Sequence, residues 1–256
     1  KKHSRGIVVR ENGRDSISEA FRILRANMGF MNTSGHQKVF LVTSSTEHAG
    51  KTFVSTNLAM VNAFSGSKVL LIDLDLRRRM LSKQLGQRNN PNGISKYMSD
   101  HTLTAAQVIS KSDIHDNIDC IYAGLQPPNP AEQLLSPRLD KLIEECKQMY
   151  DCIIIDSVPA MVIADAMITS RVADLSLYVI REGMLDKRQL PDVENLHLQN
   201  KLRNMCIVLN GASEQNHRYG YTYTYQTDDD FVYTRWEKFL CSIGLRGWVN
   251  RRKVAR

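Results

Sequence analysis

The stretch from 38 to 75 constrains this chain more than any other. KVFLVTS runs into STEHAGKT, a helical segment follows, and KVLLIDLDLR closes the unit. Residues 39–42 form a short apolar run that stops at small hydroxyl residues, as a buried parallel strand entering a turn does. Residues 69–72 repeat the pattern and end on Asp73-Leu74-Asp75. Two such strands joined by a helix make a right-handed βαβ unit with its chemistry at the strand ends. Gly50-Lys51-Thr52 opens the helix between them. Backbone N–H groups of such a loop cradle phosphate oxygens, its lysine reaches the β- and γ-phosphates, and the following hydroxyl serves Mg²⁺. The pattern is that of a nucleoside triphosphate site, with Ser45, Thr46, Glu47, His48, Ala49, Gly50, Lys51 and Thr52 as the loop. Ser45 stands where the general pattern has its first glycine.

A third strand-like run, 152–155, ends in Asp156. Asp73, Asp75 and Asp156 thus fall at carboxyl ends of parallel strands, where doubly wound sheets bind ligands. Each alone reads equally well as a turn cap. Arriving together beside one phosphate loop, they point to a shared site. Further strands at 118–123, 175–180 and 206–209 and helices at 16–30, 52–64 and 136–149 complete an alternating pattern. This predicts an α/β chain with a three-layer, P-loop NTPase-like fold: a mostly parallel central sheet with helices on both faces. The polar segment 80–118, with its Asn89-Asn90-Pro91-Asn92-Gly93 turn cluster, is expected to hold surface helices.

Several side chains carry two readings. In the first helix Ser16 and Glu19 have capping-box spacing, and Phe21, Leu24 and Met28 form an apolar stripe. Glu19, Arg22 and Arg25 recur every three residues, which by spacing alone is a cap with solvated charges. Asp165 opens a helix and reads as its N-terminal cap. Asn210, before Gly211, reads as an ordinary turn. Five of nine tyrosines follow residue 218: Tyr219, Tyr221, Tyr223, Tyr225 and Tyr233. The alternation of the first four with Gly220, Thr222 and Thr224 fits a strand with one aromatic face. Their position beyond the last core strand, followed by Gln226-Thr227-Asp228-Asp229-Asp230, fits exposed modification sites as well. Residues 230–243 are expected to form a final helix carrying Trp236, Phe239 and Leu240.

The sequence resembles the bacterial tyrosine kinases, cytosolic P-loop kinases tied to capsular and exopolysaccharide export. The residues that carry the resemblance are TSSTEHAGKT (43–52), LLIDLDLR (70–77), CIIIDSVP (152–159), EAFRILR (19–25), AGLQPPNPAEQLL (123–135) and the tyrosine-rich tail. It departs at Glu47-His48-Ala49, where such loops usually read Pro-Gly-Glu, and at Asp156-Ser157-Val158-Pro159, where they read Asp-Thr-Pro-Pro. The resemblance implies Mg-ATP-dependent autophosphorylation, largely between subunits, on the five tail tyrosines. Lys51, Asp73, Asp75 and Asp156 would be catalytic, Asp73 by accepting or polarising the phenolic proton. Thr52, Asp75 and Asp156 would hold Mg²⁺, and Asn210 would lie near the adenine. Glu19, Arg22 and Arg25 would form the contact of a ring-like homo-oligomer. Of the run Arg77-Arg78-Arg79, only Arg77 matches the family motif. Implied partners are an inner-membrane polysaccharide co-polymerase region, in the same chain or a separate adaptor, and a cognate tyrosine phosphatase. The implied location is the cytoplasmic face of the bacterial inner membrane. Two rivals remain at this stage: a nucleotide-gated oligomerisation module and a partition-type ATPase. The second usually has an extra lysine early in the loop, absent from positions 45–50.

Composition narrows the rest. The 256 residues and continuous strand–helix alternation read as a basic N-terminal segment (1–14), a kinase domain (15–212), a tyrosine-rich segment (213–229) and a C-terminal helix with basic tail (230–256). The net charge of +7 is concentrated at the ends, with no aromatic-interleaved nucleic-acid module, so nucleic acid is not expected as a partner. Cys120, Cys146, Cys152, Cys206 and Cys241 show no metal-binding spacing and read as buried thiols of a reducing compartment. No apolar run reaches the length of a membrane span.

Overall fold

The computed structural model describes residues 6–31, 35 and 37–212. The five tail tyrosines and the expected helix at 230–243 lie outside the described residues.

The described elements run α1 (Ser16–Met31), β1 (Val39–Ser44), α2 (Lys51–Phe64), β2 (Val69–Asp73), α3 (Met80–Gln84), α4 (Ile94–Ser99), α5 (Ala105–Val108), β3 (Ser110–Lys111) and β4 (Ile118–Ile121). They continue with α6 (Pro130–Leu135), α7 (Pro137–Met149), β5 (Cys152–Asp156), α8 (Asp165–Ser170), β6 (Leu175–Arg181), α9 (Leu190–Leu198) and β7 (Met205–Asn210). The seven strands form one sheet in the order β3-β4-β2-β5-β1-β6-β7. Every neighbouring pair is parallel except β3 with β4.

Strand periodicity decides the layers. Successive side chains alternate faces, so Val39 and Leu41 join one hydrophobic cluster while Phe40 and Val42 join the other. The first cluster is closed by residues of α4 to α9, the second by α1, α2 and α3. Strands buried on both faces need continuous apolar runs, which is why VFLV, VLLI and CIII are fully buried. Each such side chain contributes about 1.5–3 kcal/mol, so the central strands are a stiff platform for what lies at their ends.

Most expected elements appear within one or two residues of their anticipated bounds, and α7 buries the anticipated Leu139, Leu142, Ile143 and Cys146. Three details differ. The α1 start is held by Asp15, whose carboxylate accepts from Ser18 N and Ser18 Oγ at 2.9 and 2.8 Å, rather than by Ser16. The segment after β2 is more than surface decoration, because Leu81, Ile94 and Tyr97 are buried and Arg138 stacks on the Tyr97 ring at 4.2 Å. The helix α2 is buried nearly all round. Its outer side is covered by α1 and by residues 6–9, where Asn57 Oδ1 accepts from Val8 N and Val9 N and Asn57 Nδ2 donates to Gly6 O.

Among the described cysteines, Cys120, Cys146 and Cys152 are buried, and burial pushes each thiol up to about 12; Cys206, expected to be buried as well, is only partly so, and Cys241 lies outside the described residues. The three buried thiols are inert packing groups at neutral pH. Among the described residues no helix is long and apolar enough to cross a membrane.

Candidate functional site

The order β2-β5-β1 at the centre of the sheet brings three strand ends together. Register sets Asp73 directly beside Asp156, and Val42 of β1 on the other side of Asp156. The two carboxyl groups therefore arrive adjacent by sheet geometry alone. The chain then leaves β1 through residues 45–50 and enters α2 at Lys51.

The loop backbone is held by named contacts. Gly50 has φ 99°, in the left-handed region. That φ calls for glycine, and a Cβ there, 2.2 Å from Asn210 Nδ2, would push the Asn210 amide out of place. Asn210, at the end of β7, donates through Nδ2 to Ala49 O at 2.9 Å. His48 holds φ 62°, an unfavourable region for a residue with a Cβ, costing ~1–2 kcal/mol. It occupies the place where the resembled loops carry glycine. Arg181, at the end of β6, donates to His48 O at 3.3 Å, so the loop stays in shape despite the substitution. Ser44 Oγ donates to Thr46 O at 2.6 Å and accepts from Lys51 Nζ at 3.1 Å.

Lys51 is 9% exposed. Burial holds its ammonium below the ordinary lysine value, opposed by the nearby Asp156, Asp75 and Glu47 carboxylates. Thr52 Oγ1 donates to Asp156 Oδ2 at 2.7 Å, and Ser55 Oγ lies 3.1 Å from Asp156 Oδ1. Burial pushes Asp156 up to about 6, resisted by Thr52, Lys51 and Ser55.

Asp73 is fully buried, and its oxygens are engaged. Oδ2 accepts from Ser82 Oγ at 2.6 Å and Ser82 N at 2.8 Å; Oδ1 accepts from Asp75 N at 3.1 Å. Burial, followed by the neighbouring Asp156 charge, pushes it up to about 8. Asp75 is 5% exposed, and its Oδ1 accepts from Arg78 N at 2.8 Å. Thr52 and Asp156 are thus brought together directly, Asp75 stays within electrostatic reach of Lys51, and Asp73 sits behind them facing α3.

Two consecutive arginines fasten this centre to its surroundings. Arg77 Nε and Nη2 donate to Asp165 Oδ2 and Oδ1 at 2.9 and 3.3 Å. The N-cap of α8 is Ala164, with no side-chain cap bond, so Asp165 is an ion-pair partner rather than the cap its position suggested. Arg78 turns the other way, its guanidinium 2.6 Å from Glu47 Oε1. Ser55, Ser82, the Asp165 pairing and the Glu47–Arg78 pairing were all missed by sequence reasoning. Ser55, one turn beyond Thr52, had a spacing signal; the others had none.

The donor set suits a small hard cation. One hydroxyl beside one carboxylate, with a second carboxylate nearby, leaves room for water and phosphate oxygens, as Mg²⁺ prefers. Among the described residues no group of three or more His, Cys, Asp or Glu forms a dedicated metal cage.

Arg22 and Arg25 are engaged within the chain. Arg22 donates to Gly13 O, Arg10 O, Glu11 O and Glu19 Oε2, and Arg25 donates to Val61 O at 2.9 Å. The Glu19 side chain is 56% exposed.

Comparison with known proteins agrees with this geometry. A family profile described as an AAA domain matches residues 38–181, the span from β1 through β6. The tyrosine-protein kinase YwqD of Bacillus subtilis is 32% identical over 229 residues, covering 89% of this chain and 94% of that one. The tyrosine-protein kinase etk of Escherichia coli is 37% identical over 68% of this chain, but the match spans only 24% of that protein. The solved kinase domain of the E. coli tyrosine kinase ETK superposes with a TM-score of 0.72 at 33% identity, covering 84% of this chain and 83% of that one. With a nucleotide-binding loop, paired strand-end carboxylates and these relatives, the chain belongs to the bacterial tyrosine kinases built on a P-loop domain.

Proposed function

We propose that this kinase transfers the γ-phosphoryl group of Mg-ATP to tyrosines of its own tail, largely between subunits. The observation that carries this reading is the 2.7 Å contact between Thr52 and Asp156 beneath the phosphate loop, with Asp73 and Asp75 at the adjoining strand end. Phosphoryl transfer asks a protein chiefly for in-line positioning and charge neutralisation. Lys51 balances the β- and γ-phosphates, and residues 45–50 cradle them with backbone N–H groups. Thr52, Asp156 and Asp75 are the residues that would hold Mg²⁺, which when bound neutralises the phosphate charge.

The phenolic oxygen of a tail tyrosine attacks the γ-phosphorus, the bond to the β–γ bridging oxygen breaks, ADP leaves, and the phenolic proton passes to a carboxylate. Asp73 is a stronger base than an ordinary aspartate, nearer to what a general base at neutral pH requires. Its Ser82 contacts must open for a phenol to reach it directly. The acceptors would be Tyr219, Tyr221, Tyr223, Tyr225 and Tyr233.

Glu19, Arg22 and Arg25 would contribute to the face of a ring-like homo-oligomer, where Ile17, Ile23 and Phe30 of α1 are also exposed. Tail phosphates, each near −2, would repel one another at such a face and loosen it. In that way the kinase would regulate a polysaccharide export complex at the cytoplasmic face of the inner membrane, opposed by a tyrosine phosphatase.

The test is incubation of the purified chain with Mg-ATP and location of phosphotyrosine by mass spectrometry, beside Lys51→Met. Phosphate on residues 219–233 that disappears in the variant is the expected result. Nucleotide-dependent oligomers without phosphotyrosine would instead make the chain a nucleotide-gated assembly module.

A further inference from the structure

The arginine run after Asp75 reads in the sequence as a solvated face, yet its second member has a specific place. The Arg78 guanidinium lies 2.6 Å from Glu47 Oε1, and Glu47 belongs to the phosphate loop itself. The base of Arg78 is fixed, because its backbone N donates to Asp75 Oδ1 at 2.8 Å. Beyond that anchor its side chain is 56% exposed. Lys51, where the phosphates are expected, feels both Glu47 and Arg78 electrostatically. The ion pair therefore stands at the phosphate cradle rather than on a remote surface.

A pair between two partly exposed side chains contributes little and exchanges readily. A triphosphate beside Lys51 would place several negative charges next to Glu47 and repel its carboxylate. The same charges offer Arg78 a richer acceptor than one carboxylate, and a guanidinium matches phosphate oxygens in a planar, two-pronged geometry. Arg77 cannot make this exchange, since it is held by the buried Asp165.

We propose that Arg78 is a phosphate-binding residue, occupied by Glu47 until the terminal phosphate of a nucleoside triphosphate displaces that carboxylate. Glu47 is then a stand-in for phosphate, and the swap makes the site prefer triphosphate over diphosphate. It also gives the loop's Glu47, a departure from the resembled loop pattern, a role in setting affinity. The inference rests on the reading that residues 45–52 bind nucleotide.

The experiment is titration of fluorescent ATP and ADP analogues into the wild-type chain, Arg78→Ala, Arg78→Lys, Glu47→Gln and Lys51→Met, with Mg²⁺ present. Thermal unfolding of each variant without nucleotide checks that it is folded. Arg78→Ala should weaken ATP binding about tenfold, or about 1.4 kcal/mol, and ADP binding about twofold or less. Arg78→Lys should recover part of the loss, because it keeps the charge but not the planar fork. Glu47→Gln should tighten ATP binding about threefold by removing the competing carboxylate. An unchanged ATP-to-ADP ratio in Arg78→Ala, or weaker ATP binding in Glu47→Gln, would overturn the proposal. If Lys51→Met binds ATP like the wild type, the nucleotide reading itself fails. If Lys51→Met loses binding while Arg78→Ala keeps it, only the role of Arg78 falls.

Discussion

Replacing Arg77 by methionine should destabilise the fold more than replacing its partner Asp165 by asparagine, although both remove the same ion pair. The asymmetry comes from where the two groups sit: the Asp165 side chain is 3% exposed, the Arg77 side chain 40%. Breaking a wholly buried pair costs about 3–5 kcal/mol and a surface pair about 0–1 kcal/mol. A pair with one end buried and the other in water falls between, near 2 kcal/mol for Arg77→Met, which strands a buried carboxylate without its cation. Asp165→Asn is cheaper, about 1 kcal/mol, because the amide oxygen still accepts from Arg77 Nε and no charge is left uncompensated. In a chain of this size each 1 kcal/mol moves the melting temperature about 2–4 °C. Calorimetry without nucleotide should therefore show a fall of about 4–8 °C for Arg77→Met and about 2–4 °C for Asp165→Asn. The double variant should resemble Asp165→Asn alone, a coupling of about 2 kcal/mol. Equal single effects, or a double variant that is their sum, would show that the 2.9 Å contact does not tie the loop after β2 to α8.

Asp73 supplies a pH test. Its folded-state value, about 8, lies above the ordinary 3.8. Between those values the folded state binds the proton more tightly than the unfolded state, so this contribution to stability is present at low pH and lost as pH rises through about 8. Asp73→Asn should flatten the fall in urea midpoint between about pH 5 and about pH 8, leaving the smaller fall due to Asp156. An unchanged slope would mean that Asp73 ionises as an ordinary carboxylate. At the other side of the loop, Asn210→Asp turns the donor to Ala49 O into an acceptor. It should weaken ADP binding more than Asn210→Ala does, by roughly tenfold against threefold, as a lost and then a repelled hydrogen bond would. Titration with a fluorescent ADP analogue decides it, and equal affinities for both variants and the wild type would remove Asn210 from the loop's support.

What the sequence disclosed and what it withheld follow from one distinction. Backbone placement is written in short-range patterns: apolar runs of four fix where β1, β2 and β5 lie, the residue after each run fixes which side chains reach the strand ends, and Gly50-Lys51-Thr52 fixes the loop between. Asp73, Asp75, Asp156 and Thr52 could be named in advance because each sits at a terminus whose position the pattern determines. Cross-links between distant segments leave no such trace. Asp165 pairs with a residue 88 positions earlier, and nothing near it distinguishes that use from a helix cap. Ser82 holds Asp73 from a five-residue helix, too short to have a period. His48 shows the same limit from the other direction: the sequence shows a missing glycine, but only φ 62° and the contact from Arg181 show that the left-handed turn persists without it. The strand termini therefore fix what the site can do, while side chains drawn from distant loops set its charge balance and stiffness. Among relatives that share the loop and the carboxylates, differences in nucleotide affinity should accordingly follow positions such as 47, 48, 78, 165 and 210 rather than the phosphate loop lysine.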